Sequence, residues 1–318
     1  MGYIPPKDGF DEAMIEAVRI KAQSLIDREK LKRSHIAKEI DVPEGTLGPW
    51  LNGKYPGDNA GVAEKVDRWL QWRADKQAEM RVSVTRPGFV MTPTADAVLR
   101  TLDHAQMFGK LVLVPLKPGS GKTMACDQQR QQRNRVYLAT MAPSTSGVAT
   151  ALAEVLAAMG EPDAKGAPAV LARRIRAKVK EHGALIILDE AQHLSVQAIE
   201  ELRAIQDATG CGMALVGDER LSAVFDGTAY AQLRRRIARR CPPVRTLDED
   251  VRTVAGAWGV TAKDEIDFLR RVAKQPGALG GVANVIEMAT QLAALEEKPR
   301  DLGHMMSAWA DLMPGQAL

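Results

Sequence analysis

Gly119, Ser120, Gly121, Lys122 and Thr123 follow the apolar run "LVLVPL" of residues 111–116. A glycine turn between a strand and a helix can curl its backbone N–H groups toward phosphate oxygens. Here Pro118, Gly119, Ser120, Gly121, Lys122, Thr123 and Met124 would form the cradle. Lys122 would meet the β- and γ-phosphates, and the Thr123 hydroxyl would bind Mg²⁺. The pattern G-x-x-x-x-G-K-[ST] is broken at one position, where Leu116 replaces the first glycine. A second cluster closes the run "ALIILDE" with Asp189 and Glu190. A carboxylate at the end of a strand beside the phosphate-loop strand can hold Mg²⁺ through water. The glutamate after it can orient and deprotonate a water that attacks the γ-phosphate. Asp218, in "ALVGDERL", ends the next strand. It can contact that water or the γ-phosphate, or it can cap the following helix. Arginines 234, 235, 236, 239 and 240 precede a fifth strand. They read as an arginine finger for a neighbouring subunit, with Arg236 as the finger, as a DNA-facing surface, or as a solvated helix face.

These residues need a scaffold whose strand ends converge. Apolar runs at 111–116, 136–140, 184–190, 213–218 and 243–247 alternate with helical stretches, which Gly160, Gly183 and Gly210 close as C-caps. Continuous apolar strands separated by helices form a parallel sheet covered on both faces, with ligands at the carboxyl ends. After residue 247 only helical periodicity remains. The expected organisation is an N-terminal helical domain (1–80), a linker (81–95), a P-loop domain with a five-stranded parallel sheet (96–247) and a helical C-terminal domain (248–318).

The N-terminal stretch places Met14, Val18, Ala22 and Leu25 at helical spacing, and Asn59 reads as the N-cap of a later helix. Between them, "HIAKEIDVPEGTLGPWLNGK" has the layout of a helix-turn-helix, with small Ala37 letting the helices approach. Two positions depart from it. Asp41 stands at the turn position often held by glycine, and Gly48-Pro49 falls inside the second helix, where proline removes a hydrogen bond. Lys32, Arg33, Lys38 and Lys54 would supply phosphate contacts, which fix position and not sequence. The alternative is a helical protein-docking domain.

Composition narrows the class. The chain has 318 residues and an ordinary charged fraction of 26%. Aromatics are only 4%, which argues against an RNA-stacking surface. A net charge of +3 leaves any nucleic-acid partner to local clusters. Cys126, Cys211 and Cys241 are too dispersed for a zinc site or a disulfide framework. No signal-type segment and no run of about 18 apolar residues is apparent, so the expectation is a cytoplasmic protein without a membrane partner.

Taken together, "TLGPWLNGKYPGDNAGVAEKVDRWL", "PGSGKT", "LIILDEAQHL", "ELRAIQDATGCGMALVGDERL", "RRRIARR" and "KQPGAL" resemble the phage Mu B transposition protein family, within the AAA+ ATPases of DNA transposition. The resemblance spans nearly the whole chain. It implies an AAA+ P-loop domain with a helical C-terminal lid and an N-terminal helix-turn-helix domain. It also implies an ATPase using ATP and Mg²⁺. Such proteins bind double-stranded DNA nonspecifically with ATP and assemble on it into helical filaments. They deliver it to a DDE transposase, stimulate strand transfer and mediate target immunity; a phage-encoded member would act in the host cytoplasm. Carried over, Lys122 and Thr123 resemble the Walker A pair, and Asp189 and Glu190 the Walker B metal-holder and base. Asp218 stands at the sensor 1 position and Arg236 at the finger. Lys165, before a helix with Arg173, Arg174 and Arg176, resembles the basic loop that tracks DNA. Gly280 stands where a sensor 2 arginine is expected. A helicase loader or replication initiator, and a non-enzymatic helix-turn-helix regulator, are the competing readings.

The first P-loop glycine belongs to the strand exit, outside the amide cradle. Leu116→Gly is therefore expected to leave ATP affinity within a few-fold of the parent, measured by titration with a fluorescent ATP analogue; a large gain would show the position misjudged.

Overall fold

The structure is a computed structural model that describes residues 6, 9–81, 84–180, 183–226, 234–243, 247–316 and 318. The chain divides into two compact units, Met1–Ser83 and Val84–Leu318.

In the first unit, α1 (Glu12–Glu29) starts where the Asp11 carboxylate accepts the Met14 N–H at 2.7 Å. Its buried face is Ile15, Val18, Ala22 and Ile26, while Met14 is exposed. The expected stripe was thus offset by one residue at each end. Helices α2 (Arg33–Glu39) and α3 (Glu44–Leu51) follow. Between them Asp41 takes a left-handed φ of 52°, the conformation for which glycine is usually chosen. Its carbonyl accepts from Lys65 Nζ at 2.7 Å. Pro49 does not break α3: it is exposed, while Leu47, Trp50 and Leu51 beside it are buried. Burial of those three side chains outweighs one missing N–H. α4 (Asn59–Arg81) completes the core through Val62, Ala63, Val66 and Trp69. Its cap is Asp58, not Asn59, because the Asp58 carboxylate accepts the Gly61 N–H at 2.8 Å. Asn59 instead donates to the carbonyls of Tyr55 and Gly57 and accepts from Arg19.

The second unit opens with α5 (Pro93–Phe108), capped by the Thr92 hydroxyl and beginning on a proline at N1. Helix therefore starts inside the stretch expected to be linker. Then come β1 (Leu111–Pro115), α6 (Lys122–Gln132), β2 (Val136–Thr140), α7 (Val148–Ala158), α8 (Pro168–Val179), β3 (Leu185–Asp189), α9 (Val196–Thr209), β4 (Gly212–Gly217), α10 (Glu219–Asp226) and β5 (Ile237–Arg240). The strands form one parallel sheet in the order β2-β3-β4-β1-β5. Two expectations are corrected. β4 lies between β1 and β3, so the acidic strand is not the immediate neighbour of the phosphate-loop strand. The fifth strand is Ile237–Arg240, not 243–247, and it includes Arg239 and Arg240; residues 244–246 lie outside the described residues. An edge strand half open to solvent needs no apolar run, so its sequence carried no strand signal.

Strand alternation builds two cores. Leu113, Ile186, Leu188, Met213 and Leu215 pack with side chains of α7, α8 and α9. Val112, Val114, Leu185, Ile187, Ala214 and Val216 pack with α5 and α6. Leu116 belongs to this second core and is 2% exposed, so it anchors the loop to the sheet.

Helices α11 (Asp248–Ala257), α12 (Lys263–Val272), α13 (Ala278–Leu295) and α14 (Leu302–Leu312) surround a third core containing Val251, Leu269, Val282, Ile286 and Met305. By length and mean composition α13 is apolar enough to cross a membrane, although Asn284, Glu287 and Gln291 interrupt its apolar run. Its Val282, Val285, Ile286 and Ala289 are fully buried against the neighbouring helices, as in the core helix of a globular bundle. Asp250 ties α11 to α5: its buried carboxylate accepts the Thr94 N–H and hydroxyl, each at 2.9 Å. Asp250→Ala would orphan both buried donors. It is expected to destabilise the second unit by about 1–3 kcal/mol in urea unfolding.

Candidate nucleotide site

The site grows from the carboxyl ends of β1, β3 and β4. Residues 116–121 turn back over β1 and lead into α6. Gly119 and Gly121 make this turn with φ of 74° and 86°. At Gly119 the demand is also steric, since a Cβ there would lie 2.1 Å from the Gly277 carbonyl oxygen. Gly119 O in turn accepts the Gly280 N–H at 3.3 Å, so the loop packs backbone to backbone on the first turn of α13.

Lys122 is only 6% exposed. Its ammonium donates to the carbonyls of Leu116 at 2.9 Å and Lys117 at 3.2 Å. Burial pushes its pKa below the ordinary lysine value, while Glu190, Asp189 and Asp218 pull it back. Asp189 is 1% exposed at the end of β3. It accepts from Thr123 Oγ1 at 2.8 Å and from the Glu190 N–H at 2.9 Å. Thr123 thus reaches Asp189 across the end of the intervening strand. Glu190 holds a left-handed φ of 54°, a conformation that non-glycine residues occupy at a cost and that concentrates at functional sites.

Asp218 follows β4 directly and caps the next helix, the second of its two expected roles. Its carboxylate accepts from the Arg220 N–H at 2.9 Å and from Arg220 Nε at 2.8 Å. Burial raises its pKa, but the hydrogen bonds from Arg220 and the fields of Arg220 and Lys122 outweigh that and hold it below the usual carboxylate range. The negative charge expected here is therefore neutralised locally. Arg220 carried no sequence signal, because its pairing depends on the turn into α10.

A cavity of about 420 Å³ joins the loop to its surroundings. Its walls are residues 118–124, Glu190, the segment around Phe89, and Trp258 and Leu279 from the C-terminal helices. Arg86 and Glu287 pair at its rim through two hydrogen bonds of 2.7 and 2.6 Å. These walls were not legible in the sequence, since they come from segments far from the loop. Residues of this site fit a nucleoside triphosphate with Mg²⁺. Loop residues 118–124 line the cavity, Gly121 leaves open space where a Cβ would stand, and Thr123 with Asp189 forms an oxygen donor pair. Ser120 Oγ is buried and meets no hydrogen-bond partner among the described residues.

Other expected site residues lie elsewhere. Arg236 is exposed just before β5. Because β5 runs parallel to β1 with Ile237 beside Leu111, Arg236 sits at the opposite end of the sheet from Lys122. The structure does not bring it to this chain's own loop. Lys165 and Arg173 are exposed. Arg174 is drawn to Glu161, which also accepts Lys178 at 2.9 Å, so Arg174 does not present a bare charge. Lys54 is exposed in the first unit.

Comparison with known proteins agrees with this architecture. Residues 110–225 match the AAA domain family, and residues 235–312 match the family described as Mu B transposition protein, C terminal. The ATP-dependent target DNA activator B proteins of Escherichia phages D108 and Mu are each 31% identical over 285 residues, covering 88% of this chain and 89% of theirs. The Mu-like prophage FluMu DNA transposition protein B of Haemophilus influenzae is 31% identical over 265 residues, covering 81% of this chain and 91% of its own. Among solved structures, Drosophila ORC bound to DNA shares the fold, with a TM-score of 0.53 at 12% identity over 75% of this chain and 66% of that one.

Thr123→Val would leave the buried Asp189 carboxylate without its side-chain donor. The variant is expected to lose about 1.5–3 kcal/mol of stability in urea titration. It should also lose the extra thermal stabilisation that Mg²⁺ adds to ATP.

Proposed function

From the premise that this chain belongs to the Mu B transposition protein family, we infer that it is an ATP-dependent target DNA activator of transposition. It is an AAA+ ATPase, and ATP with Mg²⁺ is its cofactor. The single observation that best supports a working nucleotide site is the Thr123–Asp189 hydrogen bond, which joins the phosphate loop to the acidic strand. Loop amides from Gly119 to Met124 and the Lys122 ammonium would hold the phosphates. Thr123 and Asp189 would hold the metal. Bound ATP supplies the phosphoanhydride whose cleavage releases free energy, and Mg²⁺ the charge that offsets the phosphates. Glu190 would take the proton of the attacking water. Asp218 and Arg220 form a neutral pair beside it, so Asp218 orients and does not repel. Arg236, far from its own loop, suits delivery to a neighbouring subunit's site in an oligomer.

Further parts of this reading concern DNA. Exposed Lys165 and Arg173 in the second unit, and Lys54 in the first, are offered as phosphate contacts. Arg174 is a weaker candidate because of Glu161. In the first unit the solvent side of α3 offers Glu44, Gly45 and Pro49, with no long donor side chain to read base edges. This favours binding that is nonspecific in sequence. The proposed sequence of events is ATP-dependent assembly along double-stranded DNA, presentation of that DNA to a DDE transposase, and release on hydrolysis. The functional divisions are a helical domain over 1–80, a linker that ends before α5 at Pro93, a P-loop domain to residue 247 and a lid from residue 248.

Cosedimentation with random-sequence DNA tests this reading. Binding is expected to be strong with ATP and weak with ADP, and Lys122→Ala should abolish the difference. Equal binding in both nucleotide states would sink the switch.

A further inference from the structure

Gln192 stands between the two acidic residues that the nucleotide site uses, in the short turn Ala191–His193 after β3. Its side-chain Nε2 donates to Glu190 Oε2. Its Oε1 accepts the Asp218 N–H at 3.4 Å, at the long end of the range. One carboxamide therefore bridges the end of β3 to the end of β4. The bridge is sterically provided for by a residue on the other strand. A Cβ on Gly217 would lie 2.3 Å from Gln192 Oε1, so the glycine that ends β4 clears the space the carboxamide fills. The chain enters this short turn through Glu190, which has a left-handed φ of 54°.

We propose that Gln192 is a positioning residue for hydrolysis, whose carboxamide holds the Glu190 carboxylate by one oxygen and anchors it to the Asp218 backbone. This rests on the reading of Glu190 as the base. The chemistry favours an amide at this position. A carboxylate that must accept a proton from water needs one oxygen free and its orientation restrained. A neutral N–H donor restrains the other oxygen without cancelling the charge, whereas a lysine or arginine would hold the carboxylate in an ion pair and lower its basicity. A glutamine is long enough to span Glu190 and Asp218, and an asparagine lacks one methylene of that reach. The same bridge ties the base to the turn that carries Arg220, so a displacement of the β4 end would move the base with it.

The test uses the full chain with DNA and Mg²⁺-ATP. Gln192→Ala is expected to lower kcat for ATP hydrolysis roughly 10- to 100-fold while ATP affinity and thermal stability stay at parental values. Gln192→Asn should behave like the alanine variant. Gln192→Glu places two carboxylates in contact, which raises the pKa of one, so the acid limb of the pH–kcat profile should move to higher pH. In nucleotide-free protein, the Gln192 side-chain amide signal, assigned by its loss in Gln192→Ala, should move upfield in Glu190→Ala. Gly217→Ala should reduce hydrolysis in the parent and add little in the Gln192→Ala background, as expected of two residues acting through one contact. An unchanged kcat in Gln192→Ala would overturn the proposal. So would a loss of ATP affinity or stability matching the loss of rate, or an amide signal indifferent to residue 190. The underlying reading fails separately, if Glu190→Gln hydrolyses ATP at the parental rate.

Discussion

Two opposite charges buried at one edge of a sheet set the terms for the rest of this molecule. Lys122 and Asp189 are almost wholly removed from water. Each would cost several kcal/mol if left without partners. Lys122 is satisfied by the carbonyls of Leu116 and Lys117, and Asp189 by the Thr123 hydroxyl and the Glu190 N–H. Leu116, buried in the core, fixes how the loop leaves the sheet, and α6 begins where the glycine turn directs it. The loop, the strand end and the first turn of α6 are thus mutually dependent.

The same loop is pressed against the C-terminal helices. Gly119 meets Gly277 and accepts the Gly280 N–H, Asp250 fastens α11 to Thr94, and Arg86 pairs with Glu287 on α13. The nucleotide cavity is therefore walled by both the sheet and the lid. Gly280 has open space where a Cβ would stand and lends its backbone N–H, at the position where the family resemblance implies an arginine.

Electrostatics on the outer surface are more restrained than the sequence suggests. A cluster such as Arg173, Arg174, Arg176 and Lys178 reads as a strong basic stripe. In the fold, Glu161 takes Arg174 and Lys178, while Glu201 lies 3.5 Å from Arg176. Exposed pairs of this kind contribute little to stability. They do lower the positive potential that the helix offers to phosphate.

Local chemistry was legible in the sequence. The phosphate loop, the Asp189-Glu190 pair, four of the strands and the helical C-terminus follow from spacing and periodicity, because each signal lies within a few consecutive residues. Two short helices joined by a turn at Asp41 were likewise readable, although α1 proved offset and Asp58 took the cap from Asn59. Tertiary structure alone decided that β4 separates β1 from β3, that the edge strand is Ile237–Arg240, and that Arg220 neutralises Asp218. It alone placed Gln192 between Glu190 and Asp218, and Phe89 and Trp258 around one cavity. The physical reason is range. A strand or a loop is specified by its own side chains, whereas a buried polar contact exists only when packing brings distant chain segments within about 3 Å of each other.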